Sequence, residues 1–165
     1  MRLFNYILLF LLPICVQGGE WNMIAIRDLY YKASASKEAA ETFKSVVESI
    51  QAPNECIKGY IAAANMIEAK HLFNPATKLS CFNKGKTLLD NAIKNEPNNI
   101  ELRFLRLGIQ TNAPSFLGYS GQIQTDKSLI LLQYVSQTDL DLKKRIKEFM
   151  MQSSICTEQE KKTFN

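Results

Sequence analysis

The sequence predicts an all-α fold of about seven helices packed as antiparallel hairpins. Glycine and proline, which interrupt helices, number only 7 and 5 among 165 residues. Apolar residues recur at spacings of three and four along most of the chain, which is the period of a helix that buries one face. No segment shows the convincing apolar–polar alternation of a strand. An apolar content of 46% can fill one core, so residues 19–165 are expected to form a single helical domain.

Residues 1–18 have the pattern of a cleaved signal peptide. Arg2 gives a positive start, residues 7–15 form an apolar run, and small residues follow at suitable cleavage positions. The run is shorter than the roughly 18 apolar residues needed to cross a bilayer, so no membrane span is predicted in the mature chain. Cys15 raises the alternative of a lipoprotein, but Ile14 stands where lipid attachment requires a small residue. We therefore expect a periplasmic or secreted protein.

The charge distribution argues against a nucleic-acid partner. The formal net charge is only +4, and the Lys and Arg residues are spread along the chain. Nucleic-acid binding requires basic residues concentrated on one face. The basic run at residues 142–149 could contact anionic lipid. However, Asp139, Asp141 and Glu148 are interleaved with it, which is typical of a solvated helix face.

Two helices are predicted before the first internal proline of the mature chain. Residues 21–33 place apolar residues on one face of a first helix. A second helix follows at residues 37–51, with Ser36 as its N-cap and a buried stripe that includes Phe43. Pro53 then ends this helix, because proline lacks the backbone N–H that a helix interior needs.

The middle of the chain, residues 53–97, is predicted to form a helical hairpin. Its first helix spans about residues 54–72 and is apolar over more than half of its surface, so it should pack on two sides. Asn74 caps the second helix, and Pro75 occupies its first position, where the missing N–H costs nothing. Gly85 lies inside that second helix. Glycine costs about 1 kcal/mol relative to alanine there, so we expect a neighbouring backbone or bulky ring against it.

The last third of the chain is predicted to contain three helices, a tail helix and a long loop. The three helices span about residues 100–111, 126–135 and 139–153, and the first of them carries apolar residues on two faces. Asn98 with Glu101 gives a capping-box-like start to the first of them, and Thr157 with Glu160 opens the tail helix. The intervening loop at residues 112–125 is long and aromatic. Loops of this kind are usually functional or packed back on the core.

Three cysteines follow the predicted signal peptide, and their spacing fits neither a zinc site nor a redox pair. In an oxidising compartment, Cys56 and Cys81 are the pair that a helical hairpin could bring together as a disulfide. Alternatively Cys56, Cys81 and Cys156 are three small buried hydrophobic residues. The low number of cysteines favours the second interpretation.

Parts of the sequence resemble two known groups of proteins, and these resemblances bear on the expected fold and compartment. The spacing of Gly85, Leu89, Ala92 and Pro97, followed by the string EPNNIEL, is similar to the second half of a tetratricopeptide repeat over about residues 76–110. The strings IEAKHLFNP, FNKGKTLLDNAI and NNIELRFLRLGIQTNAPSFLGY together resemble an uncharacterised family of small exported helical proteins from Bacteroidota. The resemblance implies an exported helical protein and carries no activity.

One pair of titratable residues could support catalysis. His71 is the only histidine, which argues against a Ser-His-Asp triad or a multi-histidine metal site. Glu68 lies one turn earlier on the same helix face, where a carboxylate could orient the imidazole or share acid–base work with it. The alternative is an ordinary histidine in the last turn of a helix, where the helix dipole favours it.

A second group of residues could bind a small anion. Arg103 and Arg106 lie about one turn apart and could together hold a carboxylate or phosphate, since guanidinium groups bind such anions in a bidentate manner. Further ligand-binding candidates are Tyr60, Asn65, Asn112 and Tyr119, provided that the aromatic loop folds over the third and fifth helices. The alternative is that both arginines form salt bridges to Glu68, Glu101 or Asp90.

These observations favour a noncatalytic binding module that presents a groove to a protein, a peptide or a small anionic ligand. Hairpin stacking supports this expectation, because stacked hairpins build concave surfaces. The alternative is a small periplasmic enzyme that uses Glu68 and His71 as its acid and base. No phosphate-binding loop, nucleophile elbow or zinc-protease motif is present, and neither a cofactor nor a metal is predicted.

Overall fold

The computed structural model describes residues 22–165, so the predicted signal peptide lies outside the described residues. Within this range the protein is helical and contains no strand, which confirms the all-α prediction. The helices are α1 (Met23–Ala33), α2 (Lys37–Glu48), α3 (Glu55–His71), α4 (Pro75–Asn95), α5 (Ile100–Asn112), α6 (Ile123–Gln133), α7 (Leu140–Gln152) and α8 (Glu158–Lys161). Short 3-10 helices follow α5 at Ser115–Leu117 and α8 at Lys162–Phe164. Among these helices none is long and apolar enough to cross a membrane.

Helices that are neighbours in sequence pack as antiparallel hairpins. α1 packs with α2, α3 with α4, and α5 with α6, and the α3–α4 interface is the most extensive of all. α3 also contacts α1, α2 and α5, so it is surrounded by other helices. This agrees with a helix that is apolar over more than half of its surface, since such a helix needs partners on more than one side.

Side-chain caps fix most of the helix starts among residues 22–165, and three of the four predicted caps are confirmed. Ser36 accepts a hydrogen bond from the backbone of Ala39, and Asn74 caps α4 with Pro75 at its first turn. Thr157 and Glu160 form the full capping box that opens α8. The predicted cap of α5 is wrong by one residue. Asn99, rather than Asn98, accepts from the backbone N–H groups of residues 101 and 102.

Close helix approach explains the glycine inside α4. A Cβ added at Gly85 would lie 2.5 Å from the carbonyl oxygen of Ala62 and 2.6 Å from Cγ of Met66. Only a residue without a side chain permits this separation, which confirms the expectation of a backbone packed against Gly85. The run of alanines on α3 supplies the other half of the contact.

Two hydrophobic clusters fill the interior, and α5 contributes to both. Leu102 and Leu105 belong to the cluster formed mainly by α1, α2, α3 and α4. Phe104 and Leu107 belong to the cluster formed with α6, α7 and the C-terminal turns. α5 therefore buries two faces, as the two apolar stripes in its sequence predicted.

The loop between α5 and α6 is partly packed on the core. Tyr119 is buried, and its ring lies edge-on to that of Phe82 with centroids 5.8 Å apart. Gly118 has a φ of 60°, a left-handed conformation that glycine adopts without strain. Phe116, in contrast, is 84% exposed. α6 begins at Ile123, one turn earlier than predicted, which places Asp126 inside the helix rather than at its start.

Candidate functional site

A groove of about 960 Å³ lies between α1, α3, α4, α5 and α7 and is bordered by the loop before α6. Aromatic and aliphatic side chains form most of its wall. The seven rings that line it are Tyr30, Tyr31, Tyr60, Phe82, Phe104, Phe116 and Phe149. Ligand sites in proteins are typically concave and mostly apolar, with a small number of polar groups that fix orientation. The groove has these properties.

Interlocked rings support one wall of the groove. The ring of Tyr30 lies edge-on to Tyr60, with centroids 5.8 Å apart, and edge-on to Phe43 at 6.0 Å. Such edge-to-face pairs are stabilising beyond the burial of their area. Because Phe43 is fully buried in the core, the groove wall is continuous with the packed interior. The groove is therefore formed by the fold itself rather than by a loose surface loop.

An almost fully buried arginine lies beneath the rings. Arg27 of α1 donates to both carboxylate oxygens of Glu101 on α5, at 2.7 and 2.8 Å, and also to Asp139 and Asp141 at the start of α7. The hydroxyl of Tyr60 donates to Glu101 at 2.8 Å. We call these five residues the Arg27 cluster. It ties α1, α3, α5 and α7 together at the base of the groove.

The charges of the Arg27 cluster shift the pKa values of its members. Burial alone would lower the pKa of Arg27, but its bonds to Glu101 and Asp139 raise it overall, so the guanidinium stays charged. Burial raises the pKa of Tyr60 well above its ordinary value, and the neighbouring Glu101 adds to this shift. Tyr60 is consequently a neutral hydrogen-bond donor and unsuited to act as a base at neutral pH.

α7 forms one side of the groove and is held to α1 by a second arginine. Arg145 donates to Asp141 at 2.9 Å and to Asp28 at 2.6 Å. Its guanidinium also lies over the ring of Tyr31, 5.1 Å from the centroid, in a cation–π arrangement. α7 is thus attached to α1 mainly by charged contacts on this side.

The predicted arginine pair does hold a carboxylate, but that carboxylate belongs to the same chain. Arg106 donates to Asp126 through two nitrogens at 2.7 and 2.8 Å, and Arg103 donates to it at 2.9 Å. Asp126 is fully buried. Arg106 also pairs with Asp90, whose carboxylate accepts from the Tyr119 hydroxyl. We call these five residues the Asp126 cluster.

The contacts of the Asp126 cluster favour the structural interpretation of Arg103 and Arg106. Their donors are directed to internal acceptors, and Arg103 also donates to the backbone carbonyl of Pro97. Burial raises the pKa of Tyr119, with Asp90 adding to the shift, so its hydroxyl is a donor rather than an anion. A ligand-binding role of these three residues stays a prediction, and it would require Asp126 to be displaced.

The remaining ligand-binding candidates are separated in the fold. Asn112 lines the groove, although its amide donates to the carbonyl of Gly108 at 2.8 Å. Asn65 is buried within α3 and donates to the carbonyl of Ile61. Tyr60 lines the groove but uses its hydroxyl on Glu101. The structure therefore brings Tyr60 and Asn112 to one cavity and places Asn65 in the core.

Glu68 and His71 line a separate, smaller pocket of about 230 Å³ on the α2 side of α3. Lys44 donates to Glu68 at 2.6 Å and lowers the pKa of that carboxyl. Within residues 22–165 the Nε2 atom of His71 is buried and has no hydrogen-bond partner. The two residues share a pocket, but neither is hydrogen-bonded to the other, and Glu68 is held as a carboxylate by its lysine.

The cysteines are free thiols in the described structure. Cys81 donates to the carbonyl of Asn65 at 3.2 Å, near the middle of α3. Cys56 lies in the first turn of that helix, nine residues earlier, which corresponds to roughly 13 Å along the axis. A Cys56–Cys81 disulfide is therefore not formed. The alternative interpretation of small buried residues is confirmed for Cys156, whereas Cys56 and Cys81 are only partly buried.

Several residues that line the groove were not identified as candidates from the sequence. Arg27 lies four residues after Met23 and three before Tyr30, on the apolar face of α1, and that position was the available signal of burial. Leu79 lies on the apolar stripe of α4, yet it is 48% exposed because it lines the groove instead of the core. Gly108 faces the groove as well, and no motif surrounds it.

Within residues 22–165 there is no group of three or more His, Cys, Asp or Glu side chains that could hold a metal ion. Comparison of the chain with protein-family models, with curated proteins and with solved structures finds no match. The geometry of the groove is therefore the main indication of a function.

Proposed function

We propose that this protein is an exported, noncatalytic binding module that holds its ligand in the groove between α1, α3, α4, α5 and α7. The observation that carries the proposal is the groove itself, about 960 Å³ in volume and walled by aromatic rings. Small-molecule sites span about 300–1,000 Å³, so this volume is at the upper end of that range. The signal-peptide pattern of residues 1–18 supports export.

The rigidity of the groove supports a binding role. The Arg27 cluster joins four of the elements that line the groove, and tight helix packing at Gly85 fixes α3 against α4. A site that is formed before the ligand arrives loses little conformational entropy on binding. The tetratricopeptide-like spacing in α4 adds to the proposal, because stacked helical hairpins commonly use their concave surface to bind.

Gly108 offers a direct test of groove binding. A Cβ at this position would contact only the Tyr30 hydroxyl, 3.8 Å away, so a larger side chain there would extend into the groove without displacing backbone. We expect the wild-type protein to bind the neutral apolar dye Nile red at one saturable site. The Gly108→Phe variant should lose at least about 90% of this fluorescence increase, since the ring occupies the dye's place.

The matched control is Gly121→Phe, in which the same ring is added at an exposed glycine with no atom within 4 Å. This variant should bind the dye as wild type does. Circular dichroism and thermal unfolding would establish that both variants fold. Equal dye binding by wild type and a folded Gly108→Phe protein would exclude the groove as the site.

The second candidate is an enzyme that uses Glu68 and His71. One observation favours it, namely that both residues line one pocket and the His71 Nε2 atom is buried without a partner in the described residues. The salt bridge from Lys44 opposes it, because a carboxylate with a lowered pKa is a weaker general base and a poor acid at neutral pH. Turnover that persists in His71→Gln protein would rule this candidate out.

A further inference from the structure

The charged residues that line the groove all have the same sign. They are Arg27, Lys70, Lys78 and Arg145, and no Asp or Glu lines it. Arg27 and Arg145 are already neutralised by carboxylates of α5, α7 and α1. Lys70 and Lys78 are not neutralised by carboxylates, and their charge indicates which ligand the groove fits.

Lys70 and Lys78 lie on either side of the α3–α4 turn, in the last turn of α3 and the first turns of α4. Within residues 22–165 no carboxylate lies within 4.0 Å of either ammonium group. The ammonium group of Lys70 donates to the carbonyl of Ser34 at 3.1 Å, and that of Lys78 has no hydrogen-bond partner in the described residues although the residue is half-buried. One end of the groove therefore presents uncompensated positive charge.

Apolar surface begins immediately beside the lysines. Leu79 follows Lys78 directly and is 48% exposed, while Tyr31 and Phe116 contribute exposed rings to the same groove. These exposed apolar side chains favour an apolar occupant, since their burial against a ligand is favourable. A complementary ligand would combine an apolar body with an anionic end.

We propose that the groove binds a single-chain anionic amphiphile, namely a long-chain carboxylic acid. Its carboxylate pairs with Lys70 and Lys78, and its alkyl chain lies along the rings. This inference rests on the proposed binding function and specifies its ligand. The volume of about 960 Å³ lies within the range of small-molecule sites.

The test uses dodecanoate, below its critical micelle concentration, in isothermal titration with the purified protein. We expect saturable binding of one molecule. Replacing both lysines (Lys70→Gln with Lys78→Gln) should weaken dodecanoate binding by about tenfold, because two charge-assisted contacts are lost. The uncharged analogue dodecanol should bind the wild type and this variant equally, since it lacks the anionic group.

The matched control removes the same net charge away from the groove. Lys94→Gln with Lys147→Gln changes two exposed lysines, one on α4 and one on α7, that do not line the groove. This variant should bind dodecanoate within about twofold of wild type at physiological salt, where distant surface charges are screened. A tenfold loss in this control as well would mean that long-range attraction, rather than the two lysines, explains the preference.

The outcomes separate this inference from the proposed function. If dodecanol binds, Gly108→Phe blocks it, and dodecanoate shows no dependence on Lys70 and Lys78, the anionic ligand is wrong while groove binding stands. If neither dodecanoate, dodecanol nor Nile red binds, groove binding itself fails. An acidic amphipathic peptide that binds more tightly than dodecanoate, with the same lysine dependence, would replace the amphiphile by a peptide partner and overturn the inference.

Discussion

The Arg27 cluster and the Asp126 cluster solve the same problem of burying charge in opposite ways. In the first, one buried cation faces three carboxylates, two of which are partly exposed. In the second, one fully buried carboxylate faces two arginines, and Asp90 balances the extra positive charge. The Arg27 cluster lies at the groove, whereas the Asp126 cluster joins α4, α5 and α6.

The two clusters also differ in the distance along the chain that they connect. Asp126 and its arginines are separated by 20 and 23 residues and belong to one hairpin. Arg27 and its carboxylates are separated by 74 to 114 residues. The first set comes together when α5 and α6 form their hairpin, while the second set forms only after the helices have stacked. The Asp126 cluster thus stabilises a local unit, and the Arg27 cluster stabilises the arrangement that creates the groove.

Loss of Asp126 should have the largest effect. Asp126→Ala leaves two arginines buried against each other without their shared carboxylate, and we expect a loss of about 4 kcal/mol in the free energy of unfolding. Urea unfolding followed by circular dichroism would measure it. The matched control is Asp90→Ala, whose side chain is 40% exposed and which should cost less than about 1 kcal/mol. Similar losses of unfolding free energy in both variants would show that the burial of a carboxylate does not determine how much it stabilises the fold.

Loss of Arg27 should lower the free energy of unfolding by less than loss of Asp126 does, and it should also weaken ligand binding in the groove. In Arg27→Met, water can still solvate Asp139 and Asp141, so the expected loss is about 3 kcal/mol, mostly from Glu101. Because α7 loses one of its attachments, Nile red binding should also weaken. The exposed α1 residue Lys32 provides the control, since Lys32→Met should change neither quantity. Unchanged dye binding in Arg27→Met would mean that the cluster does not shape the groove.

Acid should affect the Arg27 cluster through its two partly exposed carboxylates. The bond from Arg145, with a further one from Arg27, lowers the pKa of Asp141, and Arg27 lowers the pKa of Asp139 despite its partial burial. A carboxylate with a lowered folded-state pKa contributes stability above its unfolded pKa of about 3.9, and this contribution is lost as pH falls through the folded value.

The expected effect is the smallest of the three. Between pH 5 and pH 3 the wild type should lose more unfolding free energy than Asp141→Asn, by less than about 1 kcal/mol. Urea unfolding at pH 5, 4 and 3 would measure the difference. Glu148→Gln, which changes an exposed carboxylate on the same helix, should follow the wild type. Identical acid dependence in Asp141→Asn and wild type would contradict the pairing with Arg145.

Much of the helical architecture could be predicted because it is encoded locally. Caps such as Ser36 and Asn74, the break at Pro75 and the apolar stripes of α3 and α5 depend on residues within a few positions of one another. The start of α6 was predicted a turn too late. Asp126 is a residue type that often begins a helix, but here it lies at the end of the first turn of α6 and pairs with Arg106.

The site was harder to predict because it depends on which side chains meet across the stack. The spacing of Arg103 and Arg106 lets them contact one carboxylate together, but their shared partner Asp126 was not identified from the sequence, because it depends on how α5 crosses α6. The groove needs α1, α4 and α7 to converge, and no local signal encodes that convergence. Lys70 and Lys78 were consequently not identified as ligand-binding residues from the sequence.

Because α5 packs into two hydrophobic clusters, local opening of the protein should not expose the whole helix. Its residues Leu102 and Leu107 are both fully buried, in different clusters, so no opening of one cluster alone exposes both faces of the helix. Amide protons in the middle of α5 should therefore exchange with solvent only when the whole protein unfolds. A ligand that occupies the groove would slow this exchange by the factor 1 + [L]/Kd, and it would do so in a helix that also anchors the far side of the molecule.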